Sequence, residues 1–244
     1  MTVRNKIRDK IWSFKGFSIL LVVCLFAYIF MDVLEIQEIS SKDIEIIEAE
    51  KIETEKIETE KKKVALTFDD GPNKVYTETL LEGLAERNVV ATFFVIGKKA
   101  EENSEIIEKM NQQGHLIGNH TYSHIQLTAE NEDIYKEEIL YTNSLLEEII
   151  GKETLFIRPP YGVWNEEYEE DLNMFPVLWT VDPLDWCTLN ANTVFTRVIN
   201  EVKENDIILL HDDYETSVTA ALAIVDELQK QGYEFVTVDE ILFN

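Results

Sequence analysis

The chain has 244 residues, 45% of them hydrophobic, enough for one packed domain with appendages. Its formal net charge of −25 argues against nucleic acid as a partner and disfavours anionic ligands generally. The two cysteines, Cys24 and Cys187, lie in very different surroundings, so no intrachain disulfide is expected.

In chain order, Arg4, Lys6, Arg8, Lys10 and Lys15 precede the uncharged run Gly16–Met31, which Val33 extends past Asp32. Residues 16–33 approach the about 20 needed to cross a bilayer. They are expected to form one transmembrane helix, with the basic tail 1–15 cytoplasmic and all later residues outside the cell membrane. The run ends without the small-x-small pattern of a cleavable signal peptide. Residues 34–63 are rich in Ile, Glu and Lys, and Lys51–Glu55 repeats directly as Lys56–Glu60, which reads as a low-complexity spacer. The folded domain is placed at 64–244, where −24 of the net charge falls: residues 1–15 carry +4 and residues 16–63 carry −5.

That domain opens with Val64–Phe68, an apolar strand running into Asp69, Asp70 and a Gly71-Pro72 turn. Successive side chains of a strand point to opposite faces, so adjacent carboxylates need separate roles. Taken alone, the segment also fits an ordinary strand-ending turn. Helices are then predicted over Tyr76–Arg87, Ser104–Gln113, Asp133–Ile150, Ala191–Val202 and Val218–Lys230. Strands are predicted over Ala91–Ile96, Leu116–Asn119, Phe156–Arg158, Val177–Trp179, Ile207–His211 and Phe235–Val238. This alternation implies an α/β fold, a parallel sheet or barrel of about seven strand–helix units whose strand ends share one mouth.

The titratable residues that need explaining stand at those ends: Asp69 and Asp70, His120 and His124, Arg158, Asp182 and Asp185, and His211. His120 and His124 are spaced i, i+4, on one face if the segment forms a helical turn, and a carboxylate from elsewhere would complete a metal site. Two histidines and one carboxylate suit a catalytic zinc or a non-haem iron. Thr121 stands where a metalloprotease would carry its glutamate, so a base must come from another segment, and Asp69 is available. Arg158-Pro159-Pro160-Tyr161-Gly162 is rigid, and its arginine can grip a carboxylate through a bidentate fork. Asp182-Pro183-Leu184-Asp185-Trp186 places an acid beside an aromatic wall. Each segment also has a plain structural reading as a cap, turn or packing residue, and His115 has only that reading.

Together and in this order, the segments resemble the polysaccharide deacetylases of carbohydrate esterase family four, the NodB-type domain. The resemblance spans essentially all of 64–244 and rests on Thr67–Pro72, His120–His124, Arg158–Gly162, Asp182–Trp186 and Leu209–His211, with the tail Gly232–Val238. It implies a distorted (β/α) barrel with fewer regular units than the common eight. It also implies hydrolysis of the N-acetyl group of a glycan by water held on a metal. On this resemblance Asp70, His120 and His124 hold a divalent ion, expected to be zinc, with cobalt, manganese or nickel as alternatives. Asp69 is the general base, Arg158 orients it, His211 protonates the departing amine, and Asp185 keeps His211 cationic. The backbone N–H of Tyr161 steadies the oxyanion, while Trp186 and Leu209 wall the acetate pocket. Some relatives acting on muramic acid sugars lack the second aspartate of the first motif, so Asp70 points to N-acetylglucosamine. Peptidoglycan is the expected substrate, ahead of chitooligosaccharide, poly-N-acetylglucosamine or acetylxylan, and a non-catalytic wall-binding protein is the rival class. Cys187, where related enzymes often carry a basic or polar residue, is read as a bystander.

Overall fold

From Val64 to Asp69 the chain is buried without a break, the pattern of a central strand covered on both faces. It forms β1 (Lys62–Asp69), which begins two residues inside the stretch read as spacer. The computed structural model describes residues 62–243, so the expected basic tail, transmembrane helix and almost all of the spacer lie outside the described residues. Beside β1 run β2 (Thr92–Val95), β3 (Leu116–Asn119), β4 (Phe156–Ile157), β5 (Phe175–Pro176), β6 (Ile207–His211) and β7 (Tyr233–Val236). All pairings are parallel, in the order β5-β4-β3-β2-β1-β6, with β7 also on β1. The sheet curls into a half-barrel carrying helices, in keeping with the expected distorted barrel.

The helices are α1 (Tyr76–Glu86), α2 (Gly97–Glu102), α3 (Ser104–Gln112), α4 (Glu132–Ile150), α5 (Glu167–Leu172), α6 (Asp185–Thr188), α7 (Ala191–Glu201), α8 (Glu215–Lys230) and α9 (Val238–Leu242). Local chemistry sets several ends. Asn190 accepts a hydrogen bond from the Thr193 N–H at the start of α7. Gly151 closes α4 in the left-handed conformation, with φ 71°, and its N–H donates to the Glu147 carbonyl. The buried stripe of α8, Val218, Ala221, Ile224, Val225 and Leu228, covers the outer face of the sheet.

The two-residue period of β1 sorts its side chains. Val64, Leu66 and Phe68 join the large outer core with Leu80, Leu84 and Val225. Ala65 joins an inner cluster with Phe94, Phe156, Val177, Ile207 and Val238. Thr67 and Asp69 follow Ala65 on that inner face. Register then brings the strand ends level: Asp69 lies opposite His211 on β6 and Phe94 on β2, while Asn119, one residue before His120, lies opposite Ile157, one before Arg158.

Three sequence expectations need correction. Val177–Trp179 is not a strand; β5 ends at Pro176, and the carbonyls of Val177 and Leu178 accept hydrogen bonds from the Arg158 side chain in place of a neighbouring strand. Val238 begins α9, with its N–H donated to the Thr92 hydroxyl, so the last strand stops at Val236. The His120–His124 segment is no helical turn, because Thr121 and His124 take φ of 59° and 60°. Short α2, α5, α6 and α9 had no predicted counterpart; none is long enough for periodicity to declare itself.

Candidate active site

The strand ends converge on a cleft of about 420 Å³ whose lining includes Asp69, Asp70, His120, His124, Tyr161 and His211. At its floor, Asp70 Oδ1 lies 3.3 Å from both His120 Nε2 and His124 Nε2. Asp70 can reach this position because β1 ends one residue earlier and Asp70 turns to φ 72°, which frees it from the alternation of the strand. The ligand atoms of the three residues all lie within 4.8 Å of one another. His120 Nδ1 lies 2.6 Å from the Arg158 carbonyl. A carbonyl only accepts, so Nδ1 donates to it, which in the neutral ring leaves the Nε2 lone pair facing Asp70. Burial pushes the His124 imidazole down, against the pull of Asp70, favouring the neutral form that ligates metals. Burial would raise the Asp70 carboxyl, but His120, His124 and His211 outweigh it and hold the group at about 2. Asp70 Oδ1 is buried without a hydrogen-bond partner. Two imidazole nitrogens around an unsatisfied carboxylate oxygen fit a divalent transition metal, zinc among them.

Asp69 stands beside this set, its Oδ2 3.9 Å from His120 Nε2 and its other oxygen held by Arg158 at 2.8 Å. Arg158 is completely buried. It does not grip Asp69 through a fork, as the sequence suggested. The same nitrogen that binds Asp69 also donates to Thr67 Oγ1 at 2.6 Å, while Nε and the second terminal nitrogen donate to the Val177 and Leu178 carbonyls at 3.0 and 3.1 Å. Its guanidinium lies over the Phe94 ring at 4.3 Å. With Thr67 and Asp69 on one face of β1, a single guanidinium nitrogen spans both. One oxygen of Asp69 is thereby committed to Arg158.

Beyond them stands a second acid–imidazole pair. His211 Nδ1 donates to Asp185 Oδ1 at 2.8 Å, and the His211 backbone N–H and Ser217 Oγ both donate to Asp185 Oδ2, at 2.9 and 2.6 Å. Asp185 is fully buried. Burial would lower the His211 imidazole, but its bond to Asp185 and the charges of Asp185, Asp69 and Asp70 raise it to about 9. His211 is therefore cationic at neutral pH, with Nε2 as its other proton-bearing atom.

Tyr161, with φ 61°, packs its ring against His124 at 4.9 Å. Trp186 is half exposed at the rim and Leu209 is buried beneath it. Among the described residues nine non-glycine positions have left-handed φ, and five of them, Asp70, Thr121, His124, Tyr161 and Leu184, belong to the loops that build the cleft. Three of the other four are Asn88, Asn173 and Asn205, a residue type that tolerates this region. Strained backbone thus concentrates where the side chains must converge.

A family model described as polysaccharide deacetylase matches residues 56–177, half of the chain. The chain belongs to the polysaccharide deacetylase family. It is 39% identical over 180 residues to the peptidoglycan-N-acetylmuramic acid deacetylase PdaC of Bacillus subtilis, covering 74% of this chain and 38% of PdaC. It is 39% identical over 182 residues to a peptidoglycan-N-acetylglucosamine deacetylase of Bacillus cereus, covering 72% and 66%. The solved structure of PdaC superposes with a TM-score of 0.70 at 38% identity, covering 74% of this chain and 90% of that one. The chain therefore spans less than two thirds of the length of both curated relatives.

In this family member all ten residues singled out for the site converge: seven line the cleft, while Arg158 and Asp185 lie buried behind Asp69 and His211. Leu209 adds the tenth position to the cleft wall. Sequence reasoning missed Trp179, Tyr214 and Pro159 in the lining, and Thr67 and Ser217 as supports of Arg158 and Asp185. Thr67 was legible from its spacing of two before Asp69; Ser217, 32 residues from Asp185, carried no signal. Asp182 lines the cleft and accepts from the Leu184 N–H. His115 is structural: buried, it accepts from the Ala91 N–H and packs edge-on against Phe93. Cys187 is exposed and outside the lining.

Proposed function

We propose that this chain is a metal-dependent deacetylase that hydrolyses the N-acetyl group of N-acetylglucosamine residues in a polysaccharide, peptidoglycan first. The observation that carries this reading is the placement of two differently tuned acid–base groups around one metal-fitting triad: a clamped carboxylate at Asp69 and a cationic imidazole at His211. Amide hydrolysis needs that pair, because a base must take a proton from water and an acid must give one to a poor amine leaving group.

Asp70, His120 and His124 would hold the ion, with zinc preferred. When bound, it supplies Lewis-acid activation of water and charge stabilisation at the acetyl oxygen. Asp69 takes the proton of the attacking water, and Arg158 keeps that carboxylate aimed. Tyr161 offers its backbone N–H to the developing oxyanion, a donor of the kind worth about 3–4 kcal/mol. His211 delivers its Nε2 proton to the sugar nitrogen as the carbon–nitrogen bond breaks, and Asp185 holds the imidazolium ready. Trp186 and Leu209 wall the space for the acetyl methyl. Acetate and a free amino sugar result.

The names of the two curated relatives point to both sugars of peptidoglycan, glucosamine and muramic acid. N-acetylglucosamine is preferred here on the retained Asp70. Residues 16–33 would anchor the protein in the cell membrane with the catalytic domain outside. The test is amine release and acetate production from purified peptidoglycan, chitooligosaccharide and acetylxylan by the purified protein with zinc. Amine on glucosamine of peptidoglycan supports the full reading, amine on muramic acid reassigns the sugar, and no product from any acetylated glycan overturns the enzyme reading in favour of a wall-binding role.

A further inference from the structure

One buried carboxyl group has no part in that chemistry. Asp212 follows His211 at the end of β6 and is completely buried, unlike the partly exposed Asp213 after it, which pairs with Lys99 at 2.6 Å. Since Asp69 and His211 are register partners, Asp70 and Asp212 are the next residues beyond the last matched pair of the two strands. There the chain turns, and Gly71 passes directly over the Asp212 carboxyl: a Cβ on Gly71 would fall 2.4 and 2.5 Å from its two oxygens. No side chain fits at that distance.

The far end of the turn is tied to the same group. The Thr77 hydroxyl donates to Asp212 Oδ2 and accepts from the Asn73 N–H at 2.7 Å, while the Gly71 carbonyl accepts from the Ile96 N–H at 3.0 Å. Thus the segment 71–77 is packed on Asp212 at one end and hydrogen-bonded to it at the other. Burial pushes the Asp212 carboxyl up to about 7, over the opposing effect of Thr77, and its Oδ1 has no hydrogen-bond partner. Burying an incompletely satisfied acid is costly, and helical or strand structure does not require it here.

We propose that Asp212 is a positioning residue for the metal site: its carboxyl is the seat for the Asp70–Gly71 step and sets Asp70 against His120 and His124. The role rests on the reading of Asp70 as a metal ligand and not on the identity of the glycan. It links the strand bearing His211 to the turn bearing Asp70, so the acid and the metal set share one support.

The test is zinc affinity of the full chain, measured by competition with a chromophoric chelator, without substrate. Asp212→Ala is expected to weaken zinc binding about tenfold or more, the range for groups that orient metal ligands. Asp212→Asn keeps the shape and an acceptor for Thr77 and should stay within about threefold of the unaltered protein. Gly71→Ala, whose φ is not left-handed, should also weaken zinc. Combined with Asp212→Ala it should cost less than the product of the two single effects, because the new methyl fills the space the carboxyl leaves. Should Asp212→Ala not fold, Thr77→Val decides, with a several-fold loss expected from removal of the hydroxyl alone. Unchanged zinc affinity in a folded Asp212→Ala or Thr77→Val protein overturns the proposal. So does an Asp212→Asn loss as large as that of alanine, which would mean that charge and not seating matters. The expected zinc pattern in a protein that deacetylates no glycan would leave this role standing and sink the deacetylase reading.

Discussion

Asp69 and Asp70 are neighbours in sequence with opposite environments, because β1 ends between them. Asp69 stays on the inner face, clamped by Arg158, whereas Asp70 swings through a left-handed φ to meet two imidazoles. Replacing Asp70 by Asn should therefore cost zinc affinity, by about tenfold or more in a chelator competition. Asp69→Asn should keep zinc and lower kcat by about 10²–10⁴. His211 carries a second prediction. Its pKa of about 9 in the fold lies above the ordinary 6.5, so the stability this pair contributes is complete below about 6.5 and is lost as pH rises through about 9. In the metal-free protein the melting-temperature gap between wild type and Asp185→Asn should shrink between pH 7 and pH 10. A gap that does not change with pH would deny the raised pKa.

At the scale of elements, Arg158 replaces a strand. The segment after β5 would otherwise leave the Val177 and Leu178 carbonyls unpaired inside the barrel, and the guanidinium satisfies both while holding Thr67 and Asp69. Arg158→Ala should destabilise the protein by about 3–5 kcal/mol in chemical denaturation, since it strands a buried carboxylate as well as two carbonyls. Arg158→Lys keeps the charge but not the fork of donors. Hydrogen exchange should then quicken across 177–181 while the core of α8 stays protected. Equal protection in both regions would show that the guanidinium is not what orders the segment.

For the whole molecule, the −24 charge of residues 64–244 acts on any charged glycan that approaches. Raising ionic strength from about 0.01 M to about 0.15 M shortens the screening length from about 30 Å to about 8 Å. If peptidoglycan is the substrate, KM for the carboxylate-bearing polymer should fall over that range, while KM for a neutral chitooligosaccharide stays constant. A rise for the polymer alone would point to attraction as the controlling term. The curled sheet makes this long-range field matter at one place, since the strand ends open on a single side.

The sequence by itself determined the α/β alternation, the extent of β3 and β6, the long helix to Ile150, and most of the residues of the cleft. These depend on local period, on strand ends and on the residue types that metal and proton chemistry require. The seats of those residues were not legible. The left-handed turns at Asp70, Thr121 and His124, the hydrogen bonds that make Arg158 stand in for a strand, Ser217 behind Asp185 and Asp212 beneath Gly71 join positions up to 141 residues apart, as Thr67 and Ile208 also are. Only the tertiary structure decided them, because a buried polar group takes whichever partner the fold brings within reach, and sequence spacing carries no record of that choice.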